Sequence, residues 1–221
     1  MSIKIWQKPQ EYGSYVVGGD VAEGKEGNDY SVLNIIDNST LKTVCKYSGH
    51  CRPDELAIIA FVMGNWYNEA YIGIEINAGL WVNTILFEEL RYNNIYFREA
   101  VDDITHRVSR QIGFQTSEKT RRPMLDNLKV LLANYPDIWT NKDFLNECLT
   151  FVKDERGRPE AMSGRHDDEI IATAIAYFIR DNAPLQLKRP VEIAQTAENY
   201  VKARLEKLYG RKSNISQNNY I

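Results

Sequence analysis

The sequence has few of the residues that build disulfide frameworks, cysteine-based zinc sites or membrane spans. It contains three cysteines, Cys45, Cys51 and Cys148, and no two of them have a C-x-x-C spacing. This argues against a disulfide scaffold or a zinc site and favours a reducing compartment. No run approaches eighteen consecutive apolar residues, so we expect no membrane-spanning segment.

The chain also has little excess charge of either sign. Its net charge is −3 over 221 residues, with 43% hydrophobic and 26% charged residues, which is typical of a globular protein and does not by itself indicate a nucleic-acid binder. The charge is unevenly placed, because residues 182–221 carry seven basic and three acidic residues. We expect a body over residues 1–183 and a basic tail over residues 184–221. The tail should contain an amphipathic helix that packs on the body or binds a polyanionic partner.

The hydrophobic pattern predicts an α/β protein with a mixed sheet. Apolar, β-branched segments separated by short polar turns predict an antiparallel meander over residues 15–20, 30–37 and 41–49. Spacings of three and four then predict helices over residues 53–67 and 79–92, alternating with strands over residues 71–75 and 95–98. Three antiparallel strands followed by αβαβ predict a mixed sheet with helices on both faces.

The remaining segments are less regular. Residues 1–13 show no clear period, and residues 101–117 predict an exposed polar loop or hairpin. A leucine-rich helix should follow residue 123, and the sequence Thr140-Asn141-Lys142-Asp143 resembles a capping box before another helix. A last helix is predicted from residue 167 to about residue 180.

Acidic residues stand at the ends of three of these predicted elements. Asp20 closes the first apolar strand after two glycines, which we expect to leave the backbone there uncovered; Glu75 closes the strand over residues 71–75, and Asp167 and Asp168 open the last helix. A carboxylate after a buried strand is costly unless it is paired or bound to metal, and a helix N-terminus favours negative charge. We therefore interpret these sites as converging to hold divalent metal. Carboxylates without a His or Cys cluster suit Mg²⁺ or Mn²⁺, and two such ions would support phosphodiester hydrolysis.

Each acidic residue taken alone also has a structural interpretation. Asp20 fits a residue entering a turn, Glu75 an edge or salt-bridge residue, and Asp167 or Asp168 a helix N-cap. Only their conjunction favours a metal site. Because residues four apart share a helix face, Asp168 lies in register with the small Ala172. We favour Asp168 as a direct ligand and Asp167 as a second ligand or the cap.

Short motifs surround each acidic site. They are Gly19-Asp20-Val21-Ala22-Glu23-Gly24 with Asp29-Tyr30-Ser31, Gly73-Ile74-Glu75-Ile76-Asn77-Ala78-Gly79, and His166-Asp167-Asp168-Glu169-Ile170-Ile171-Ala172-Thr173-Ala174. In this order they resemble the nuclease domain of the large terminase subunit of tailed bacteriophages.

The resemblance implies an RNase H-like fold for residues 1–183 and a two-metal endonuclease that cuts double-stranded viral DNA concatemers during genome packaging. It implies that Asp20, Glu75 and one or both of Asp167 and Asp168 are the catalytic metal ligands. It also implies a location in the host cell cytoplasm and, in the full-length protein, an N-terminal packaging ATPase, a portal and a small terminase subunit as partners. We expect this chain to correspond to the nuclease part alone.

A basic run lies near the acidic motifs in the predicted order of elements. It has two interpretations, phosphate contacts that position DNA without reading its sequence or a solvated face. Its members are Arg107, Arg110, Lys119, Arg121 and Arg122. His166 adjoins the third acidic site and either caps the helix or orients a water or phosphate, whereas His50 and His106 are predicted to be surface residues.

One stretch imitates a nucleotide-binding loop. Residues 19–25 fit G-x-x-x-x-G-K, but Glu26 follows where the motif needs Ser or Thr. Asp20 and Glu23 would also lie inside the phosphate cradle and repel it, so we expect neither nucleotide binding nor motor activity. Two alternatives to a terminase nuclease stay open at this point: a Holliday-junction resolvase or transposase-like nuclease of the same fold, and a non-catalytic structural module.

Overall fold

The computed structural model describes residues 2–22, 30–101, 107–155 and 157–184. The strands are β1 (Ser2–Ile5), β2 (Tyr15–Asp20), β3 (Ser31–Asp37), β4 (Thr43–Gly49), β5 (Tyr71–Ile74), β6 (Phe97–Val101), β7 (Val108–Ile112), β8 (Phe151–Lys153) and β9 (Pro159–Ala161). The α-helices are α1 (Pro53–Trp66), α2 (Ile76–Thr84), α3 (Glu118–Asn134), α4 (Lys142–Leu149) and α5 (Asp168–Ile179). The basic tail beyond residue 184 lies outside the described residues.

A mixed sheet with the order β1-β4-β3-β2-β5 forms the centre of the described structure. The strands β2, β3 and β4 pair antiparallel, as the three apolar segments predict. Strand β5 follows helix α1 and lies parallel to β2, with Gly18 opposite Gly73. The predicted α/β class and the mixed sheet are confirmed.

Two predictions on the edges of this sheet are wrong. Residues 2–5 form β1, an edge strand paired antiparallel with β4; all its side chains are exposed, so it lacks the half-buried alternation that marks a strand in sequence. The strand predicted over residues 95–98 does not join the central sheet as a strand: Ile95 makes a parallel bridge with Ile72, and residues 97 and 98 belong to β6 in a separate two-stranded sheet. The chain then enters β6, which pairs with β7 as a hairpin.

Helix α2 starts earlier and ends earlier than its pattern predicts. It begins at Ile76, directly after Glu75, and a π-helical segment over Ile85–Glu89 continues it. The capping residue before α4 is Asn141, whose side chain accepts a hydrogen bond from the Asp143 amide. None of the helices in the described ranges is long and apolar enough to cross a membrane.

Alternate side chains of the sheet feed two hydrophobic cores, one on each face. Val17 of β2 joins the core with α1, while its neighbour Val16 joins the core with α3 and α5. This alternation is the strand period of two. It confirms the prediction of helices on both faces.

Helix α5 contacts the backbone of the sheet directly. A Cβ at Gly18 would lie 2.0 Å from the Ala172 carbonyl oxygen and 2.5 Å from the Ala176 amide nitrogen. The expectation that the glycines before Asp20 leave an uncovered backbone is therefore wrong, since α5 occupies that space. The close approach fixes the helix N-terminus beside the end of β2.

Candidate active site

Two of the acidic residues lie at the ends of adjacent strands of the sheet. Asp20 is the last residue of β2, and Glu75 directly follows β5. The Glu75 amide donates a hydrogen bond of 2.9 Å to the Gly19 carbonyl. Because β2 and β5 are adjacent and parallel, both carboxyl groups lie at the same end of the sheet.

The pKa of the Asp20 carboxyl is raised well above its usual range. Burial is the largest cause, followed by a hydrogen bond that the protonated Asp20 carboxyl donates to Glu75 and by the negative charges of Glu75, Asp168 and Asp167. The structure therefore brings the predicted carboxylates into mutual electrostatic contact. Their role as metal ligands stays a prediction.

Asp167 and Asp168 are held in different ways at the start of α5. Asp167 occupies the N-cap position, but its side chain caps no helix amide; its Oδ2 lies 2.9 Å from Nη2 of Arg121. Asp168 Oδ2 accepts a hydrogen bond of 3.1 Å from the Tyr30 amide. One helical turn later Ala172 touches Gly18, so the face that carries Asp168 is turned towards β2.

These carboxylates are engaged with protein groups rather than arranged around an ion. Among the described residues, no group of three or more His, Cys, Asp or Glu side chains stands ready to hold a metal. Glu75 Oε1 accepts a hydrogen bond of 3.0 Å from Asn77 Nδ2, and Asp167 is paired with Arg121. A cation would need side-chain rotations, but an all-carboxylate donor set under mutual repulsion suits a hard divalent ion.

Asn77 connects Glu75 to the segment before α3. Its Nδ2 also donates a hydrogen bond of 3.2 Å to the Thr116 carbonyl. The Asn77 amide therefore orients the Glu75 carboxylate from a neighbouring loop. Asn77 stands inside the second sequence motif, two residues after Glu75. This position in the motif is the sequence signal for its contact with Glu75.

Glu147 is a further carboxyl group that the sequence analysis missed. Its Oε2 accepts a hydrogen bond of 3.1 Å from the Ile170 amide in the first turn of α5. Burial raises its pKa to about 8, and the charges of Glu169 and Asp168 add to this shift. Glu147 comes from α4, which is distant in sequence, so no local pattern reveals it.

A buried polar network anchors the first turns of α5. Lys46 Nζ donates to Glu169 Oε1, and both residues are almost completely buried. The second Glu169 oxygen accepts hydrogen bonds from Asn34 Nδ2 at 3.1 Å and Asn141 Nδ2 at 2.7 Å. A lysine in the middle of an apolar strand was the sequence signal for this network. It ties α5 to β3, β4 and α4 next to Asp168.

The predicted basic run divides into exposed and paired members. Arg107, Lys119 and Arg122 are exposed, and the exposed Arg110 lies over the Phe97 ring with 5.1 Å to its centroid. Arg121 instead pairs with Asp167. No observation tests DNA contact by any of them, and this role stays a prediction.

The structure describes two of the three histidines, but only the start of the segment that resembles a phosphate-binding loop. His50 is exposed, as predicted, and its ring lies against that of Tyr30, with 4.4 Å between centroids and 32° between the ring planes. The centroid of the His166 ring lies 6.4 Å from that of the Tyr30 ring in an edge-on arrangement. His106 and residues 23–29 lie outside the described residues.

No protein-family model and no curated protein matches this sequence. Solved structures do match in fold. The large terminase nuclease from thermophilic phage G20c superposes with a TM-score of 0.57 at 18% identity, covering 80% of this chain and 88% of that chain. The chain has the fold of a phage large terminase nuclease domain.

Two further structures extend this likeness. The Thermus phage P74-26 large terminase nuclease domain matches with a TM-score of 0.57 at 17% identity, over 81% of this chain and 86% of that chain. The G20c nuclease with bound magnesium matches with a TM-score of 0.60 at 16% identity, over 80% and 87% of the two chains. The G20c enzyme was also solved with cobalt and with zinc. The RNase H-like terminase nuclease fold predicted from the motifs is thus confirmed.

Proposed function

We propose that this chain is a metal-dependent endonuclease that cuts double-stranded viral DNA concatemers during genome packaging. The observation that carries the proposal is the group of carboxyl groups at one end of the sheet, where the pKa of Asp20 is raised by burial and by Glu75, Asp168 and Asp167. Repulsion between carboxyl groups does not stabilise a fold. It does favour the binding of a divalent cation, because the cation replaces the proton that Asp20 otherwise holds.

Asp20, Glu75, Asp167 and Asp168 would hold Mg²⁺ or Mn²⁺, with two ions in the full site. When bound, the ions would activate a water and stabilise the charge that develops on the attacking and leaving oxygens. Asn77 orients Glu75 through its 3.0 Å hydrogen bond. Arg121 forms an ion pair with Asp167 at the start of α5.

The surroundings of the site would guide the DNA backbone. The exposed Lys119 and Arg122 lie in the first turns of α3, which begins two residues after the Thr116 carbonyl that contacts Asn77. Arg107 and Arg110 extend from the β6–β7 hairpin. Contacts of this kind position phosphates without reading sequence. By the same family likeness we propose a packaging ATPase, a portal and a small terminase subunit as partners in the host cell cytoplasm.

Digestion of a plasmid with Mg²⁺ or Mn²⁺, against an EDTA control, tests this function. We expect cutting only with metal, and no cutting by Asp20→Asn. Asp137→Asn is a matched control, because Asp137 is an exposed residue between α3 and α4. Undiminished cutting in EDTA would refute the metal mechanism. Preferential cleavage of a four-way junction over linear duplex would identify a resolvase instead.

A further inference from the structure

A cavity of about 880 Å³ opens beside the candidate active site. Its wall includes Val21 and Ala22, which follow Asp20, and Asn77 and Ala78, which follow Glu75. The two chain segments that leave the catalytic end of the sheet therefore continue directly into the cavity. Its volume lies in the range of pockets that hold one small organic molecule.

We propose that this cavity binds one nucleotide of the DNA strand that flanks the cut, with the base stacked at the rim on the rings of Tyr30 and His50. The proposal rests on the endonuclease function proposed above. It adds a specific place for the substrate outside the carboxylate site.

The lining suits a sugar and a base better than a phosphate. Val21, Pro53, Leu56 and Ala78 supply apolar surface, and Asn77 adds an amide. The one arginine in the lining, Arg52, lies 3.0 Å from Asp54 Oδ2 and 3.5 Å from Glu55 Oε1. These carboxylates offset its charge, so the cavity has little attraction for an additional anion.

The rim supplies flat rings next to the carboxylates. His50 lines the cavity, and its ring lies against that of Tyr30, which is 41% exposed. The Tyr30 amide holds Asp168, so a base on these rings would lie close to the start of α5. Aromatic side chains bind unpaired bases by stacking without sequence preference. The nucleotide that occupies this cavity is therefore one that has turned out of the duplex, at the cost of its pairing and stacking there.

Steady-state cleavage by the full chain tests this assignment on a duplex oligonucleotide whose cut position has been mapped. The variants are Tyr30→Ala and His50→Ala, which remove exposed rings, and Ala78→Phe, which fills the cavity. Stacking on one base predicts a rise in KM of about tenfold for the ring variants, with little change in kcat. The control is Tyr135→Ala, an exposed ring at the far end of α3, with KM unchanged.

An abasic substrate makes the test specific. Removing the base at one flanking position should raise the KM of the wild type about as much as His50→Ala does, and combining the two changes should add little, because both remove the same contact. The His50→Ala effect should also persist as salt rises, unlike a lost phosphate contact. Circular dichroism and thermal melting would verify that each variant is folded.

The outcomes separate the two proposals. A wild type that cuts no DNA with Mg²⁺ or Mn²⁺ overturns the endonuclease function and this inference with it. If the wild type cuts DNA but the ring variants have an unchanged KM, the nucleotide cavity alone is overturned. The same holds if the KM increase of each ring variant simply adds to the KM increase caused by every abasic position.

Discussion

The guanidinium of Arg121 lies 2.9 Å from the carboxylate of Asp167, whereas the adjacent Asp168 accepts a hydrogen bond of 3.1 Å from the backbone amide of Tyr30. An arginine partner neutralises one of two neighbouring acids and competes with a cation for its oxygens. The two carboxylates at the start of α5 should therefore differ in function.

The first prediction concerns this difference. Asp168→Asn should lower Mn²⁺ affinity at least tenfold, since one lost direct ligand costs more than about 1.4 kcal/mol, and should abolish cutting. Asp167→Asn should lower affinity less. Titration calorimetry and cleavage rates of both variants measure the difference. A normal Mn²⁺ affinity in Asp168→Asn, together with a lost affinity in Asp167→Asn, would reverse the assignment.

The second prediction follows from the raised pKa of Asp20. Its ordinary value is 3.8, and a raised value in the folded state means that the folded protein holds this proton more tightly. The stabilisation from Asp20 is thus complete below the unfolded pKa and is lost as the pH rises through the folded pKa. Asp20→Asn, which stays uncharged, should melt at a higher temperature than the metal-free wild type at neutral pH.

Added Mn²⁺ should reverse that order, because a ligand that binds only the folded protein stabilises it. It should raise the melting temperature of the wild type and leave that of Asp20→Asn nearly unchanged. The exposed Asp137→Asn serves as control and should follow the wild type in both conditions. A large loss of melting temperature in metal-free Asp20→Asn would mean that the residue has a structural role.

The third prediction concerns Glu147, whose pKa is raised to about 8, chiefly by burial and also by the charges of Glu169 and Asp168. Protonated Glu147 stabilises the fold below its ordinary pKa of 4.5, and this contribution is lost as the pH rises through about 8. The melting temperature of the wild type should fall from about pH 5 to about pH 8 and level off above that. Glu147→Gln should flatten this fall, because the amide oxygen still accepts the hydrogen bond from Ile170.

An exposed glutamate, Glu160, provides the matched control, and Glu160→Gln should keep the slope of the wild type. Parallel slopes in the wild type and Glu147→Gln would show that deprotonation of Glu147 does not cause the loss.

The sequence predicts the centre of the fold better than its edges. Apolar strands such as β2 and β3 are buried on both faces, and their composition alone marks them. Strand β1 is fully exposed, and Ile95 makes one bridge, so both depend on a neighbouring strand rather than on a local pattern. Element ends differ for the same reason, since the bounds of α2 depend on contacts around Glu75.

The acidic residues of the candidate site were predictable because each stands at the end of a recognisable element. Their supporting groups were not. Glu147 reaches α5 from another helix, and Lys46 meets Glu169 across 123 residues of sequence. Such pairings are set by the packing of α5 on the sheet, which local spacing does not specify.

The last prediction concerns the buried pair of Lys46 and Glu169. Lys46→Met leaves the Glu169 carboxylate buried without its cation, which should lower the free energy of unfolding by about 3–5 kcal/mol. Adding Glu169→Gln to that variant removes the stranded charge, so the double variant should recover part of the loss. Lys4→Met is the control, because Lys4 and Lys46 both lie 2.7 Å from Asp143 Oδ2 but Lys4 is half exposed. This variant should cost less than about 1 kcal/mol. Urea denaturation measures all four proteins, and a double variant less stable than Lys46→Met would show that Glu169 stabilises α5 through Asn34 and Asn141 rather than through Lys46.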